Sequence, residues 1–161
     1  MRIGWQLIEA KRQVLREITA NDAEMIVKWR SDPNVYRYFK QPQKLTLERH
    51  MEWYDNVYLK DKNKMNWISE VQKVPIGVFG VERLPDLCVE ISYILDSAYR
   101  KKGYASQAVC KIMDCTVANW ATKRFVANIH RENAPSRYLI ESIGFVRGKS
   151  MGSFLEYYKD L

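Results

Sequence analysis

Arg100-Lys101-Lys102-Gly103-Tyr104-Ala105 is the stretch that decides how this chain reads. It follows an alternating run, Val89-Glu90-Ile91-Ser92-Tyr93-Ile94, and precedes a helix-like segment over about 106–119. A strand that turns through a basic, glycine-containing loop into a helix start can hold a pyrophosphate. The N–H groups of a helix's first turn have no partner within the helix, and the helix dipole favours negative charge there. Gly103 lets the backbone approach a phosphate closely, while Arg100, Lys101 and Lys102 add charge. A basic turn before a helix is more often only a solvated loop, so the segments on either side carry the decision.

Upstream, Val14-Leu15-Arg16-Glu17-Ile18 alternates and predicts a strand. Asn21-Asp22-Ala23-Glu24 resembles a capping box, and Met25, Ile26 and Trp29 give the helix that follows an apolar face. Asp32-Pro33-Asn34 breaks that helix, and Thr46 caps a second one carrying Leu47, His50, Met51, Trp53 and Tyr54. The period then changes. Segments 66–71 and 76–81 predict strands joined by a turn at Gln72-Lys73-Val74-Pro75, with a third strand over 87–95.

Downstream, the helix after the basic loop carries Ala108, Val109, Ile112, Met113 and Val117. Phe125-Val126-Ala127-Asn128-Ile129 is another strand, and 133–143 a short helix stopped at Gly144. A last hairpin pairs 145–147 with 154–158 around Met151-Gly152-Ser153. The order is strand, two helices, three strands, helix, strand, helix, two strands, which predicts a mixed sheet with helices packed on it. A Rossmann fold wants repeated crossovers and GxGxxG after its first strand, and a Walker loop wants GxxxxGK. The chain has neither.

Its 161 residues suit one domain, 1–161, with a core that needs no metal or disulfide. The first dozen residues read as an amphipathic, helix-like extension. No apolar run is long enough to span a membrane, and Met1-Arg2-Ile3-Gly4-Trp5-Gln6 has no signal-peptide pattern. Cys88, Cys110 and Cys115 form no CxxC pair and there are only two histidines, so no metal site is expected. A reduced, cytoplasmic compartment is the default, in which Cys110 and Cys115 pack as small hydrophobes. The net charge of +7 leaves nucleic acid, anionic membrane and phosphate-bearing ligands open. The one compact basic cluster beside a helix start is Arg100 to Lys102. That favours a localised phosphate over a duplex or a membrane partner.

Taken together, these segments resemble the GNAT acyltransferase superfamily from about residue 15 to 161. Arg100-Lys101-Lys102-Gly103-Tyr104-Ala105 matches its Arg/Gln-x-x-Gly-x-Gly/Ala loop, and Asn133-x-x-Ser136 followed by Glu141-Ser142-Ile143-Gly144-Phe145 is similar to its later element. Trp29-Arg30-Ser31-Asp32-Pro33-Asn34-Val35 resembles the branch of ribosomal-protein-alanine and amino-sugar acetyltransferases. The resemblance implies an α/β (α+β) fold: a mixed, mostly antiparallel sheet of about six to seven strands with helices on both faces. It implies acetyl transfer from acetyl-CoA to a primary amine. Tyr93, Ile94 and Leu95 would bond the pantetheine arm from a splayed strand. Residues Arg100, Lys101, Lys102, Gly103, Tyr104 and Ala105 would hold the pyrophosphate, and Asn133 would lie along the arm. A homodimer is compatible with the superfamily.

The chemistry can be read from the residues as well. An alkylammonium is no nucleophile until its proton leaves, and a carboxylate can accept that proton directly or through water. Glu90, in the strand before the loop, is either that base or an exposed strand carboxylate. As charge grows on the carbonyl oxygen, a strand N–H can stabilise it. The departing thiolate wants a proton or a hydrogen bond, for which many relatives use a tyrosine seven residues after the motif asparagine. Here that position is Ile140. Tyr138 lies about 200° around a helix from it and reads as packing. Ser136 shares the face of Ile140, and either bonds the sulfur or carbonyl or bonds backbone. Tyr93 and Tyr104 are further candidates.

Acceptor specificity in such folds comes from the N-terminal helices and their loop. There Trp29, Arg30 and His50 are the candidate substrate-binding residues, among Asn34, Tyr36, Tyr38, Phe39, Trp53 and Tyr54. The alternatives are core packing for the aromatics, an ion pair with Asp32 for Arg30 and a structural role for His50. An aromatic, basic region suits a nucleotide-linked amino sugar. A protein N-terminus is the other acceptor open in this branch. A CoA-binding sensor without turnover stands as the alternative function, and Ile140 keeps it open. A basic nucleic-acid-binding domain is a third reading with no motif behind it.

Overall fold

Phe125, Ala127 and Ile129 face one way along their strand and are buried; Val126, Asn128 and His130 face the other. That period of two, repeated strand by strand, sorts the side chains between two helical layers. The computed structural model describes residues 13–161. The helix-like reading of the first dozen residues lies outside the described residues. The strands are β1 (Gln13–Glu17), β2 (Lys64–Val71), β3 (Val74–Arg83), β4 (Cys88–Leu95), β5 (Arg124–His130), β6 (Val146–Met151) and β7 (Phe154–Asp160). The helices are α1 (Ala23–Arg30), α2 (Pro33–Tyr36), α3 (Leu47–Trp53), α4 (Tyr104–Asn119) and α5 (Ala134–Ser142). Together the strands form one seven-stranded sheet in the order β1-β2-β3-β4-β5-β7-β6. Every pairing is antiparallel except β4 with β5.

On one face, α4 lays Ala105, Ala108, Val109, Ile112 and Met113 against Phe79, Val89, Ile91, Phe125 and Tyr157, and Ile140 of α5 joins them. Val89, Ala108, Val109, Phe125, Ile140 and Tyr157 have no exposed surface. Burying a side chain of the Val, Ile or Phe class is worth about 1.5–3 kcal/mol, so this layer anchors α4 and the loop before it. On the other face, Ile26 and Trp29 of α1 and Tyr58 pack on Ile68, with Trp53, Val78 and Ile94 around them. This second layer lies over β2 to β4. The same face of β4, β5 and β7 carries polar side chains, Glu90 and Asn128 among them.

Several boundaries differ from those the sequence predicts. The Gln72-Lys73 turn is a two-residue one in which both residues have positive φ, 51° and 65°, although neither is glycine. Val74 and Pro75 therefore belong to β3, and Pro75 is accommodated where the register slips at Ser69/Glu70. The capping box begins at Thr19: its N–H donates to Asp22 Oδ2 at 2.8 Å and its hydroxyl to the same oxygen at 3.2 Å. Pro33 opens the short α2, with the Asp32 side chain accepting from the Asn34 N–H; proline suits a first turn because its missing N–H would be unpaired there. Cys110 is exposed and Cys115 half-buried, so Cys110 does not pack as a hydrophobe. The outward side of α4 places it in solvent.

Asp22 ties this N-terminal layer together. Arg16 grips it through Nη1 and Nη2 at 2.8 and 2.7 Å and reaches Glu70 through Nε at 2.8 Å. Burial pushes the Asp22 carboxyl up, but the bonds from Arg16 and Thr19 and the Arg16 charge outweigh it, and the net shift is down. A carboxyl whose pKa is lower in the folded state adds stability above its unfolded pKa and loses it as pH falls through the folded value. Asp22→Ala is therefore expected to cost about 1–3 kcal/mol in urea denaturation at neutral pH. The gap from wild type should close as pH is taken below 3.8. An equal gap at all pH values would show that the carboxylate contributes only packing.

Candidate active site

β4 and β5 run side by side for three pairs only, Cys88–Arg124, Val89–Phe125 and Glu90–Val126. Beyond that point β4 continues to Leu95 and β5 to His130 without pairing. The edge of β4 that faces β5 from Ile91 onward thus has no strand partner among the described residues. Buried backbone groups demand hydrogen bonds, so this opening suits an extended, amide-bearing ligand. Tyr93, Ile94 and Leu95 all lie on that stretch.

Glu90 stands at the fork. Its Oε1 accepts from Asn128 Nδ2 at 3.0 Å, and Asn128 Oδ1 is buried with no partner among the described residues. The pair sets a carboxylate, an acceptor for the N–H groups of an amine, in an orientation fixed by the Asn128 amide. Asn128 was not legible as a site residue: only its place on the Val126-Asn128-His130 face gives a signal, and that face is recognised once β5 is placed.

Across the opening, Tyr93 meets the start of α5. Its hydroxyl lies 2.6 Å from Ser136 Oγ and 3.3 Å from the Ser136 carbonyl oxygen. Burial pushes the Tyr93 phenol up to about 12, and the hydrogen bond with Ser136 opposes only part of the shift. Asn133 is the N-cap of α5, its Oδ1 accepting from the Ser136 N–H at 3.4 Å. Ile140 is fully buried, while Tyr138 is 77% exposed. Tyr138 therefore points away from the opening, as its angle predicts, but it faces solvent and does not pack.

The basic loop sits beyond the end of β4. α4 begins at Tyr104, two residues earlier than the sequence predicts, with Gly103 as its N-cap in the left-handed region at φ 81°. A Cβ on Gly103 would approach only Gln107 Nε2, at 3.9 Å, so the constraint there is φ and not crowding. Lys101 is left-handed too, at φ 61°, an uncommon state for a side-chain-bearing residue. Arg100, Lys101, Lys102 and Gly103 are exposed; Tyr104 and Ala105 are buried under the loop. Exposed cations around a helix N-terminus can bind an anion. Next to the loop, a cavity of about 210 Å³ is lined by Lys28, Trp29, Asp32 and Val35 on one side and 94–97 and Arg100 on the other.

The predicted acceptor residues fall in different places. Trp29 is 5% exposed, packed in the second layer, and its indole N–H donates to Asp96 Oδ2 at 3.0 Å. It also lines the cavity beside the basic loop. Arg30 makes no ion pair with Asp32; its guanidinium lies over the Phe39 ring, 5.3 Å from the centroid. Burial holds its pKa below the usual value. His50 is 2% exposed, its Nε2 has no partner among the described residues, and burial together with the Arg30 charge lowers its pKa. An aromatic corner closes this side. Tyr38 lies 5.6 Å from His130, and His130 is edge-on to Phe154 at 5.4 Å. The corner joins the segment after α2 to the ends of β5 and β7. His130 and Phe154 carry no signal in the sequence for this role, since only the sheet order brings them to Tyr38.

A model of the acetyltransferase (GNAT) domain matches residues 12–146. The chain belongs to the GNAT family. An uncharacterized protein of Methanocaldococcus jannaschii is 27% identical over 148 residues, covering 88% of this chain, which spans 29% of that protein's length. The uncharacterized N-acetyltransferase YnaD of Bacillus subtilis is 27% identical over 142 residues, with 87% of this chain and 82% of the relative covered. Among solved structures, a domain from Methanocaldococcus jannaschii superposes with a TM-score of 0.84 at 25% identity, covering 94% of this chain and all of that one. The seven-stranded mixed sheet with helices on both faces is the GNAT fold. Among the described residues no group of His, Cys, Asp and Glu is placed to hold a metal ion, and no helix is long and apolar enough to cross a membrane.

Proposed function

We propose that this GNAT domain transfers the acetyl group of acetyl-CoA to a primary amine, with Glu90 as the base. The observation that carries the reading is the Glu90–Asn128 pair at the fork between β4 and β5. It sets a proton acceptor where an amine entering from one face would meet an extended thioester lying in the opening. Acetyl-CoA supplies an activated acetyl group. The chain's own residues do the rest. The unpaired edge of β4 over Tyr93, Ile94 and Leu95 offers backbone bonds to the pantetheine amides. The α4 N-terminus with Arg100, Lys101, Lys102 and Gly103 binds the diphosphate, and Asn133 and Ser136 face the arm from the start of α5. Glu90, directly or through a water, takes the proton that the amine must lose. Asn128 Nδ2 holds the Glu90 carboxylate through its 3.0 Å bond and so fixes where the proton is received.

The acceptor that fits is an amine on a ring-bearing, anionic small molecule, a nucleotide-linked amino sugar. The Tyr38–His130–Phe154 corner offers faces and edges for stacking. The Arg37 guanidinium over Tyr38 and Arg131 beside His130 add exposed positive charge, and Arg30 has no carboxylate partner among the described residues. A peptide α-amine is the acceptor that the same base would serve if the corner takes up a side chain instead.

Two measurements test this reading. Calorimetric titration with acetyl-CoA is expected to give binding in the micromolar range, about −8 kcal/mol, and Gly103→Glu should abolish it. The variant puts a carboxylate at an anion site and an L-residue at positive φ. Normal binding by a folded variant would remove the loop from the cofactor site. An amine panel led by nucleotide-linked amino sugars, with peptide α-amines beside them, is then run on wild type and Glu90→Gln. The expected outcome is a loss of about 10²–10⁴ in kcat with acetyl-CoA affinity unchanged. Acetyl-CoA binding without transfer to any amine would favour the non-catalytic sensor.

A further inference from the structure

We propose that Tyr93 is a positioning residue: its phenol donates to Ser136 Oγ and so frees the Ser136 proton to hydrogen-bond the thiolate that leaves in the β4–β5 opening. The inference rests on reading that opening as the CoA site. It concerns the position where many relatives carry a tyrosine and this chain carries Ile140, a residue with no exposed surface and no donor.

The two hydroxyls have one proton each and stand 2.6 Å apart, with the Ser136 carbonyl oxygen 3.3 Å from the phenol. Two arrangements are open to them. In one, Tyr93 donates to the carbonyl and Ser136 donates to the phenol oxygen, so both protons are used internally. In the other, Tyr93 donates to Ser136 Oγ and the Ser136 proton is free. Rotation of two O–H bonds converts one into the other, and only the second offers a donor to the opening. Negative charge on sulfur selects it.

Three features hold the second arrangement ready. The Tyr93 ring is stacked on Phe79 with centroids 6.1 Å apart, which fixes the phenol. Burial keeps that phenol protonated up to about 12, so it remains a donor wherever an amine acceptor reacts. Ser136 lies in the first turn of the nine-residue α5, where the helix dipole favours negative charge nearby. A chain of hydroxyl donors polarises along its length, and the terminal O–H becomes the stronger donor.

The step balances without ionising Tyr93. The bond from nitrogen to the acetyl carbon forms, the carbon–sulfur bond breaks, and its electron pair goes to sulfur. The amine proton leaves toward Glu90. The Ser136 O–H bonds the thiolate, which takes its proton from water afterwards. A proton transfer all the way from Tyr93 would run uphill, because a thiol has a pKa of about 8.5, below the phenol's.

CoA itself, with its free thiol, is the probe. The thiolate absorbance of CoA bound to the protein is followed against pH, which needs no acceptor and no turnover. The bound thiol of the wild type is expected to titrate about one unit below free CoA, a tenfold change in acid constant. Ser136→Ala should return it to the free value, and Ser136→Thr should keep the shift. Tyr93→Phe, which removes one oxygen and keeps the ring on Phe79, should lose most of the shift. Tyr93→Phe with Ser136→Ala should match Ser136→Ala alone. Incorporation of 3-fluorotyrosine at position 93 gives a stronger donor of the same shape and should lower the thiol further. Tyr93→Phe titrating like wild type, additive losses in the double variant, or no response to fluorotyrosine would each overturn the proposal. A wild-type protein that binds no CoA would overturn it together with the cofactor reading, whereas CoA bound with an unshifted thiol would overturn the Tyr93–Ser136 role alone.

Discussion

The parting of β4 from β5 after Glu90 and Val126 is the constraint on which the rest of the structure depends. Inside a sheet every N–H and C=O has a partner across the ladder. Ending the ladder partway leaves a row of backbone groups on the inner edge of β4, each costly if buried and unbonded. A fold can tolerate this only if the gap is kept open to solvent or filled by something with matching amides. It also needs both strands held by their other neighbours. β3 pairs with β4 from Val89 to Leu95, and β7 pairs with β5 along the whole of its length. The fork is therefore rigid on both sides while its inside is free.

The same division assigns the two faces. The α4–α5 layer supplies most of the fully buried apolar surface and holds the N-terminus of α4 against the end of β4. The second layer, of α1 and α3, stops short of β5 and leaves Glu90, Asn128 and His130 uncovered by helix. One face is thus spent on stability, and the other keeps polar side chains clear of the helical layer. Trp29 shows the boundary between them: most of its ring is core, and its indole N–H holds Asp96 at the end of β4. Its contribution to the cavity is to fix that end of the strand.

Much of the fold was legible because it rests on local periodicity. The alternation in β3, β4 and β5 and the apolar stripe of α4 each follow from a period that tertiary packing does not need to explain. The turn after β2 was legible at 72–75, but its two-residue form was not, because two side-chain-bearing residues take positive φ where the usual signal is glycine or asparagine. In the candidate site, the basic loop and Glu90 announce themselves through charge next to a strand or a helix start. Asn128, His130 and Phe154 do not. Each is an ordinary polar or aromatic residue on a strand, and its neighbours come from segments far away in the chain. The bond between Asn128 and Glu90 spans 38 positions, and no short motif encodes a contact of that kind.

Ile140 sharpens the chemical argument. In many relatives this position carries a tyrosine; here isoleucine, in the second turn of α5, closes the core, fully buried in the same cluster as Phe145 and Tyr157. The phenol found in this part of the molecule comes from the opposite wall, on β4, and meets α5 one turn earlier at Ser136. Moving the ring from helix to strand changes what it can do. A helix tyrosine would reach a ligand directly, whereas Tyr93 has its hydroxyl engaged by Ser136 and, in the proposed role, would act through it. The serine is short, so its proton has few directions to take, and the phenol oxygen 2.6 Å away is one of its acceptors. The loss of a tyrosine at one position is thus compatible with the proposed turnover, in which the donor would be a pair of hydroxyls, one from β4 and one from α5.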